Sequence, residues 1–270
     1  GATATAYAFT TTSGESGYEY EAVFTNLAGG ATTTAAILTV ISGSSVETST
    51  NWSGYATTGA TFDAVTGSWT VPGVTCTGTH STYSSVWIGI DGDLSSTVEQ
   101  DGTESDCISG TPSYDAWYEL FGDNSENGGS EIELNPSTYP VTPGDDIVAA
   151  VSETDSVWTF GLTDTSTQHG NWTFTIGGIA FAAAQSSAEW IVERPELCGS
   201  SCSLTQLANF GSTGISDATA TTSSVSDASI DEFSNTEIEM TNGSNGKTIA
   251  QPSALGSAGN SFTDTWLGAG

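Results

Sequence analysis

Residues 114–120 read YDAWYEL, and the way these seven residues alternate decides the fold. Successive side chains of a strand point to opposite faces. Tyr114, Ala116, Tyr118 and Leu120 therefore share one face, which suits a core, while Asp115, Trp117 and Glu119 share the other. A face carrying only charge would be ordinary solvated sheet. One that sets a large indole between two carboxyls has the make-up of a cleft floor.

Outward from this stretch the same period recurs in "GSWTV", "SSVWIGID", "TVEQ", "EIEL", "DIVAAVSE", "WTFGLTD", "NWTFTIG", "AEWIVE", "ATAT", "SIDEF", "TEIEM" and "SFTDTWL". Turn signals such as "PGDD", "NGGS" and "NGSNG" separate these segments, and helical periodicity is found nowhere. The expected fold is all-β: residues 51–270 form an antiparallel sandwich of two sheets, of the concanavalin or jelly-roll kind. Ahead of it, residues 43–50 ("GSSVETST") are small and polar and read as a linker. Residues 1–42 alternate in "ATATAYAFTTT", "YEYEAVFTN" and "ATTTAAILTV", a three-stranded meander.

The chain has 270 residues, of which 32 are Asp or Glu and 2 are Lys or Arg, a formal charge of −30 at pH 7. Arg194 and Lys247 are the strong bases, so the carboxyls have almost no cations to pair with. Self-repulsion at neutral pH would fade as the acids protonate near their ordinary values of about 4, and very low pH would leave few positive groups to unfold the chain. This composition fits an acidic medium. Halophily would bring a greater charge density than the 13% of charged residues here. Nucleic acid and anionic membranes are excluded as partners by the same charge.

Four cysteines point to two disulfides in an exported protein, and the pairing with short loops joins Cys76 to Cys107 and Cys198 to Cys202. No CxxC pair or histidine cluster suggests a metal. No long apolar run and no basic region followed by an apolar one is present, so a mature, processed, secreted chain is expected. The triplets at Asn51, Asn171 and Asn242 agree with an exported surface.

The available chemistry is narrow. His80 ("TGTHSTYSS") and His169 ("STQHGNW") read as loop residues and would be protonated in acid, which leaves a serine or cysteine nucleophile without a base. Phosphate-binding, dinucleotide and HExxH motifs are absent. Carboxyls and amides remain. Peptide hydrolysis in acid needs a carboxylate to deprotonate water and a donor for the tetrahedral oxyanion; Gln100 in "STVEQDGTESDC" and Glu189 in "SSAEWIVE" offer such groups beside bulky apolar anchors.

Taken in order, "NWSGY", "GSWTVP", "SVWIGIDGD", "VEQDG", "SYDAWYE", "VTPGDDI", "SSAEWIVE" and "ANFG" resemble the glutamic peptidases, or eqolisins, from about Asn51 to the end. The resemblance implies a two-sheet sandwich, endoproteolysis of protein and peptide substrates in acid, and no metal or organic cofactor. It implies Gln100 and Glu189 as catalytic residues, and substrate-cleft positions at Trp52, Gly54, Asp91, Gly92, Asp115, Trp117 and Glu119. Departures are Leu120 and Phe121, where relatives carry more aromatics including a tyrosine, and Glu104, where some have aspartate. Gly17, Tyr20, Ala22, Asn26, Gly29 and the "LTV" at 38–40 resemble the last strands of bacterial immunoglobulin-like domains. Such a domain needs a front half, so these strands are expected to be a remnant of maturation or to complete themselves against the main domain or by self-association with a neighbouring chain. The residues also leave open a carbohydrate-binding sandwich and an extracellular structural or adhesive subunit.

Overall fold

The computed structural model describes residues 18–38, 43–122, 129–166, 170–198 and 202–270. The chain divides into two units, Gly1–Gly43 and Ser44–Gly270.

In the first unit Val23–Asn26 pairs antiparallel with Gly29–Thr32, and Glu19–Tyr20 with Ala36–Ile37. The Asn26 side chain accepts the amide of Ala28 at 2.8 Å, an Asx turn of the kind that reverses a chain. Phe24, Leu27 and Ile37 are exposed. The expected strand "ATATAYAFTTT" lies outside the described residues, as does His169 of the second unit.

The second unit is built from fifteen principal strands among the described residues: β1 Ser44–Ser49, β2 Trp52–Thr58, β3 Phe62–Thr70, β4 Ser85–Ile90, β5 Val98–Ile108, β6 Thr111–Phe121, β7 Ile132–Glu133, β8 Asp146–Thr154, β9 Val157–Asp164, β10 Trp172–Ala180, β11 Ser187–Glu193, β12 Ser212–Thr222, β13 Ser234–Thr241, β14 Thr248–Pro252 and β15 Phe262–Trp266. Hydrogen bonding runs in the order β7-β6-β5-β4-β11-β2-β13-β14-β15-β12-β3-β8-β9-β10, with β1 beside β13. The sheet folds over so that β3, β8 and β9 lie against β4, β5 and β11. This is the expected two-layer, mainly antiparallel sandwich. His80 lies in a loop, as read from the sequence.

The linker expected at 43–50 is corrected. Ser44–Ser49 is a strand running parallel to Asn235–Met240 of β13. Its side chains are mostly exposed, so no buried apolar pattern marks it in the sequence. Pairing through the backbone, helped by a 2.8 Å bond between the hydroxyls of Ser45 and Thr236, holds it to the sheet.

Between the layers, Trp69, Val86, Ile88, Ala116, Tyr118, Leu120, Trp158, Phe160 and Trp190 pack into the main core. The indoles find acceptors across it: Trp190 Nε1 donates to the Thr66 carbonyl at 2.7 Å and Trp69 Nε1 to Thr103 Oγ1 at 2.9 Å. A second apolar cluster, with Trp87, Val98, Trp117, Ile191 and Ile238 flanked by Trp52, lies on the opposite face of the β6-β5-β4-β11-β2-β13 layer. YDAWYEL thus divides as its alternation predicts, with Trp117 supporting the outer face. Both expected disulfides are formed, Cys76–Cys107 and Cys198–Cys202.

Candidate active site

Strand register brings the site together. Glu189 on β11 lies opposite Gly89 on β4, Gly89 opposite Gln100 on β5, and Gln100 opposite Glu119 on β6. Laterally paired residues share a face, so Glu189, Gln100 and Glu119 stand in one row on the outer face. The next row holds Ile191, Trp87, Gly102, Trp117 and Glu133, with Gly54 at its β2 end. A third holds Trp52, Glu193, Ser85, Glu104 and Asp115.

Glu189 and Gln100 are two strand spacings apart, roughly 9.5 Å between Cα atoms. The residue between them is a glycine, so β4 itself sets no side chain between the two. A Cβ on Gly89 would lie 3.1 Å from the Cβ of Gln100 and 3.1 Å from the Trp87 ring.

Glu189 is fully buried. The Asp93 amide donates to its Oε1 at 3.3 Å, and Oε2 has no hydrogen-bond partner among the described residues. Burial pushes its carboxyl well above the ordinary range; bonds from Ser187 and the Asp93 amide oppose this, while the charges of Asp93 and Asp91 add to it. Gln100 Nε2 donates to Glu119 Oε2 at 2.6 Å, and Gln100 Oε1 is buried without a partner among the described residues. Burial raises Glu119 to about 7, against the bonds from Gln100 and the Glu131 amide.

Beside this row lies a cavity of about 590 Å³ whose lining includes Trp52, Gln100, Glu104, Trp117, Glu119 and Glu193. Trp117 is buried at its base and its Nε1 has no partner among the described residues. Asp115 is raised to about 7, first by burial and then by Glu133 and Asp106. The carboxyl oxygens of Glu104, Asp115 and Glu131 lie within 4.8 Å of one another. Burial and the neighbouring charge of Glu131 hold Glu104 strongly upward, so this cluster keeps protons where isolated carboxyls would lose them.

The other residues read from the sequence separate into cleft and framework. Trp52 packs edge-on against Trp87, ring centroids 5.0 Å apart. Gly54, at φ 142°, leaves no room for a side chain, because a Cβ would fall 2.1 Å from the Trp190 carbonyl oxygen; it lets β2 and β11 close together. Gly92, at φ 114°, seats Trp52, whose ring would be 2.6 Å from an added Cβ. Asp91 accepts from the amides of Gln185 at 2.7 Å and Ser186 at 2.8 Å and from the Ser186 hydroxyl at 2.8 Å. Both its oxygens serve the turn that leads into β11, so Asp91 braces the strand bearing Glu189.

Sequence reasoning passed over Gly89, Glu193 and the residues that hold Glu193. Trp87 Nε1 donates to Glu193 Oε2 at 2.8 Å and Asn51 Nδ2 to Oε1 at 2.9 Å; burial still raises this carboxyl to about 7. The signal for Glu193 was present, since Glu189, Ile191 and Glu193 alternate onto one face. That for Gly89 was not, because its importance comes from register alone.

Comparison with known proteins bears on the family and the fold. The family model described as Peptidase A4 family matches residues 50–262. Aspergillopepsin-2 of Aspergillus niger is 31% identical over 195 residues, 65% of each chain, so the chain spans 65% of that relative's length. The crystal structure of scytalido-glutamic peptidase with a peptide-based transition state analog superposes with a TM-score of 0.66 at 22% identity, covering 81% of this chain and 98% of that one. The crystal structure of aspergilloglutamic peptidase from Aspergillus niger does so with a TM-score of 0.52 at 28% identity, covering 69% and 99%. A family match over more than half of the chain settles its membership: the chain belongs to the Peptidase A4 family, the glutamic peptidases.

Proposed function

We propose that this chain is an acid endopeptidase in which Glu189 and Gln100 activate water against peptide bonds of protein substrates, and that it works outside the cell in an acidic medium. The observation that carries the reading is the shared row: a buried glutamate and an amide flank Gly89, which sets no side chain of its own between them, beside a cavity with an indole at its base.

In the reaction, a water in the gap gives a proton to Glu189 while its oxygen bonds to the scissile carbonyl carbon. The carbonyl oxygen becomes an oxyanion, and Nε2 of Gln100 donates to it. Collapse breaks the C–N bond as Glu189 returns the proton to the departing amine, leaving an acid, an amine and the starting carboxylate. Burial makes the base form of Glu189 the minor one in acid, but a base of higher proton affinity is intrinsically stronger, which offsets part of the lost population. Trp117 and Trp52 supply apolar surface for substrate side chains.

Two disulfides support an oxidising, extracellular setting. The excess of carboxyls over bases supports acidity. The exposed Phe24, Leu27 and Ile37 of the first unit support self-association through its strands; a concentration-independent monomer mass in sedimentation would remove that part of the proposal.

The test is digestion of a denatured protein between about pH 2 and 5, with pepstatin present, by wild type, Glu189→Gln and Gln100→Ala. Activity in the wild type and its loss in both variants supports the pair. Equal digestion by all three rejects it, and a folded wild type that digests nothing points instead to a carbohydrate-binding or structural sandwich.

A further inference from the structure

How Gln100 comes to offer its donor end is a separate matter, which rests on the peptidase reading above. A primary amide has one donor end and one acceptor end, and only the donor end stabilises an oxyanion. In the structure the donor end is turned to Glu119: one N–H of Nε2 bonds Glu119 Oε2 at 2.6 Å, and the acceptor Oε1 is buried with no partner among the described residues. Glu119 is the residue directly opposite Gln100 in the β5/β6 pairing, and the Glu131 backbone amide bonds its carboxyl. The two side chains therefore face each other from fixed seats. On the other flank of Gln100 lies Gly89 and the gap where the reaction is placed.

A carboxylate only accepts hydrogen bonds, whereas a carboxylic acid also donates one. Of the two ends of the Gln100 amide, an ionised Glu119 can accept only from Nε2, which leaves Oε1 as the end turned toward Gly89. A protonated Glu119 can donate to Oε1 and release Nε2. We propose that Glu119 is a positioning residue that sets the Gln100 amide: as an acid it holds Oε1 and turns Nε2 toward the gap above Gly89, and as a carboxylate it keeps Nε2 and withdraws the oxyanion donor.

The surroundings favour the acid form. The titratable groups that share this face are carboxyls, namely Glu131 and Glu133 at the β7 edge, Glu104 and Asp115 farther along β5 and β6, and Glu189 and Glu193 on β11, while β4 contributes Ser85, Trp87 and Gly89. The phenol of Tyr83 lines the same cavity. Arg194 is engaged elsewhere, its Nε donating to the Thr50 carbonyl at 2.7 Å. Burial accordingly carries Glu119 up to about 7, so the acid form prevails in acid and is lost as the pH rises through that value.

The test compares the pH dependence of kcat/KM for wild type, Glu119→Leu and Glu119→Gln on one peptide substrate, at pH values where far-UV circular dichroism shows each protein folded. Glu119→Leu removes the partner and should lose about 100-fold at every pH, as expected for a misplaced oxyanion donor. Glu119→Gln can donate to Oε1 whatever the pH. It should recover activity to within about tenfold of wild type in acid and carry its alkaline limb upward by about one pH unit or more. In protein labelled with 15N-glutamine, the side-chain amide resonance of Gln100 should titrate in the wild type and stay flat in Glu119→Gln. An alkaline limb and amide titration unchanged by Glu119→Gln would overturn the proposal, and so would wild-type activity in Glu119→Leu. If Glu119→Leu does not fold, the Gln variant and the resonance decide the matter. Failure of the Glu189–Gln100 pair itself would appear separately, as activity retained in Glu189→Gln and Gln100→Ala.

Discussion

Replacing Asp264 by Asn should reverse the order of stability of variant and wild type between acid and neutral pH. Asp264 on β15 is fully buried, accepts the Ser53 hydroxyl at 2.6 Å through Oδ2, and has no partner on Oδ1 among the described residues. Burial raises its carboxyl from 3.8 to about 7, against bonds from Ser53 and the Thr265 amide. The folded state therefore binds a proton that the unfolded state releases, and the sign follows from linkage: this stability is complete below about pH 4 and is lost as the pH rises to about 7. Roughly three pH units at about 1.4 kcal/mol each amount to about 4 kcal/mol, a large share of a total of about 5–15 kcal/mol. Asn cannot ionise and keeps an oxygen for Ser53, but it places an amide donor where Oδ1 has no partner, at a cost of about 1–3 kcal/mol. Urea unfolding followed by tryptophan fluorescence from about pH 3 to about 7, a window that runs from below the ordinary carboxyl value to the raised one, should show Asp264→Asn weaker in acid and stronger at neutrality. Parallel stability curves across the window would refute the reasoning.

Three further outcomes are expected. Gly89→Ala would set a Cβ 3.0 Å from the Glu99 carbonyl oxygen and 3.1 Å from Gln100 Cβ; kcat/KM should fall on the order of 10- to 100-fold, with about 1–3 kcal/mol of stability lost to overpacking, and steady-state kinetics unchanged from wild type would count against the gap. Asp91→Ala would leave the Gln185 and Ser186 amides without their acceptor and should cost about 2–4 kcal/mol, with kcat lowered more than KM is changed because the turn positions the strand of Glu189. Replacing Cys76 and Cys107 by Ser opens a closure with a separation of 31 residues and should cost about 3–4 kcal/mol, while the same change at Cys198 and Cys202, separated by 4, should cost about half as much in thermal unfolding.

The face assignments within strands were legible because the period of a strand is geometric. Tyr118 and Leu120 enter one core and Trp117 the cluster opposite, as their alternation requires. What alternation could not give was lateral neighbourhood. Gln100 and Glu189 lie on strands with β4 between them, and only the pairing partners reveal that Gly89 is the residue left in the middle. The strand Ser44–Ser49 escaped notice because it is held by backbone pairing and exposes its side chains, so it wrote no apolar pattern into the sequence. Asp91 was placed in the cleft by resemblance, whereas the Gln185–Ser186 turn that occupies its oxygens lies far along the chain and carries no local signal.

The charge argument changes most on passing from sequence to structure. Composition suggests carboxyls repelling one another on a surface, an effect that salt would screen. The fold instead buries Glu99, Asp101, Glu189 and Asp264 completely, and Gln100 and Trp117 share their layer with Glu104, Asp115 and Glu119, which are themselves shielded. The dominant cause of the raised values is then desolvation, which salt does not relieve. Screening predicts that added salt restores stability at neutral pH; desolvation predicts that only protons do. A comparison of unfolding midpoints at pH 7 with and without about 1 M salt against those at pH 4 separates the two, and strong rescue by salt would return the explanation to the surface. If protons alone restore the fold, the acidity that keeps the sandwich folded is also what keeps Glu119 protonated, and stability and activity fail together as the pH rises.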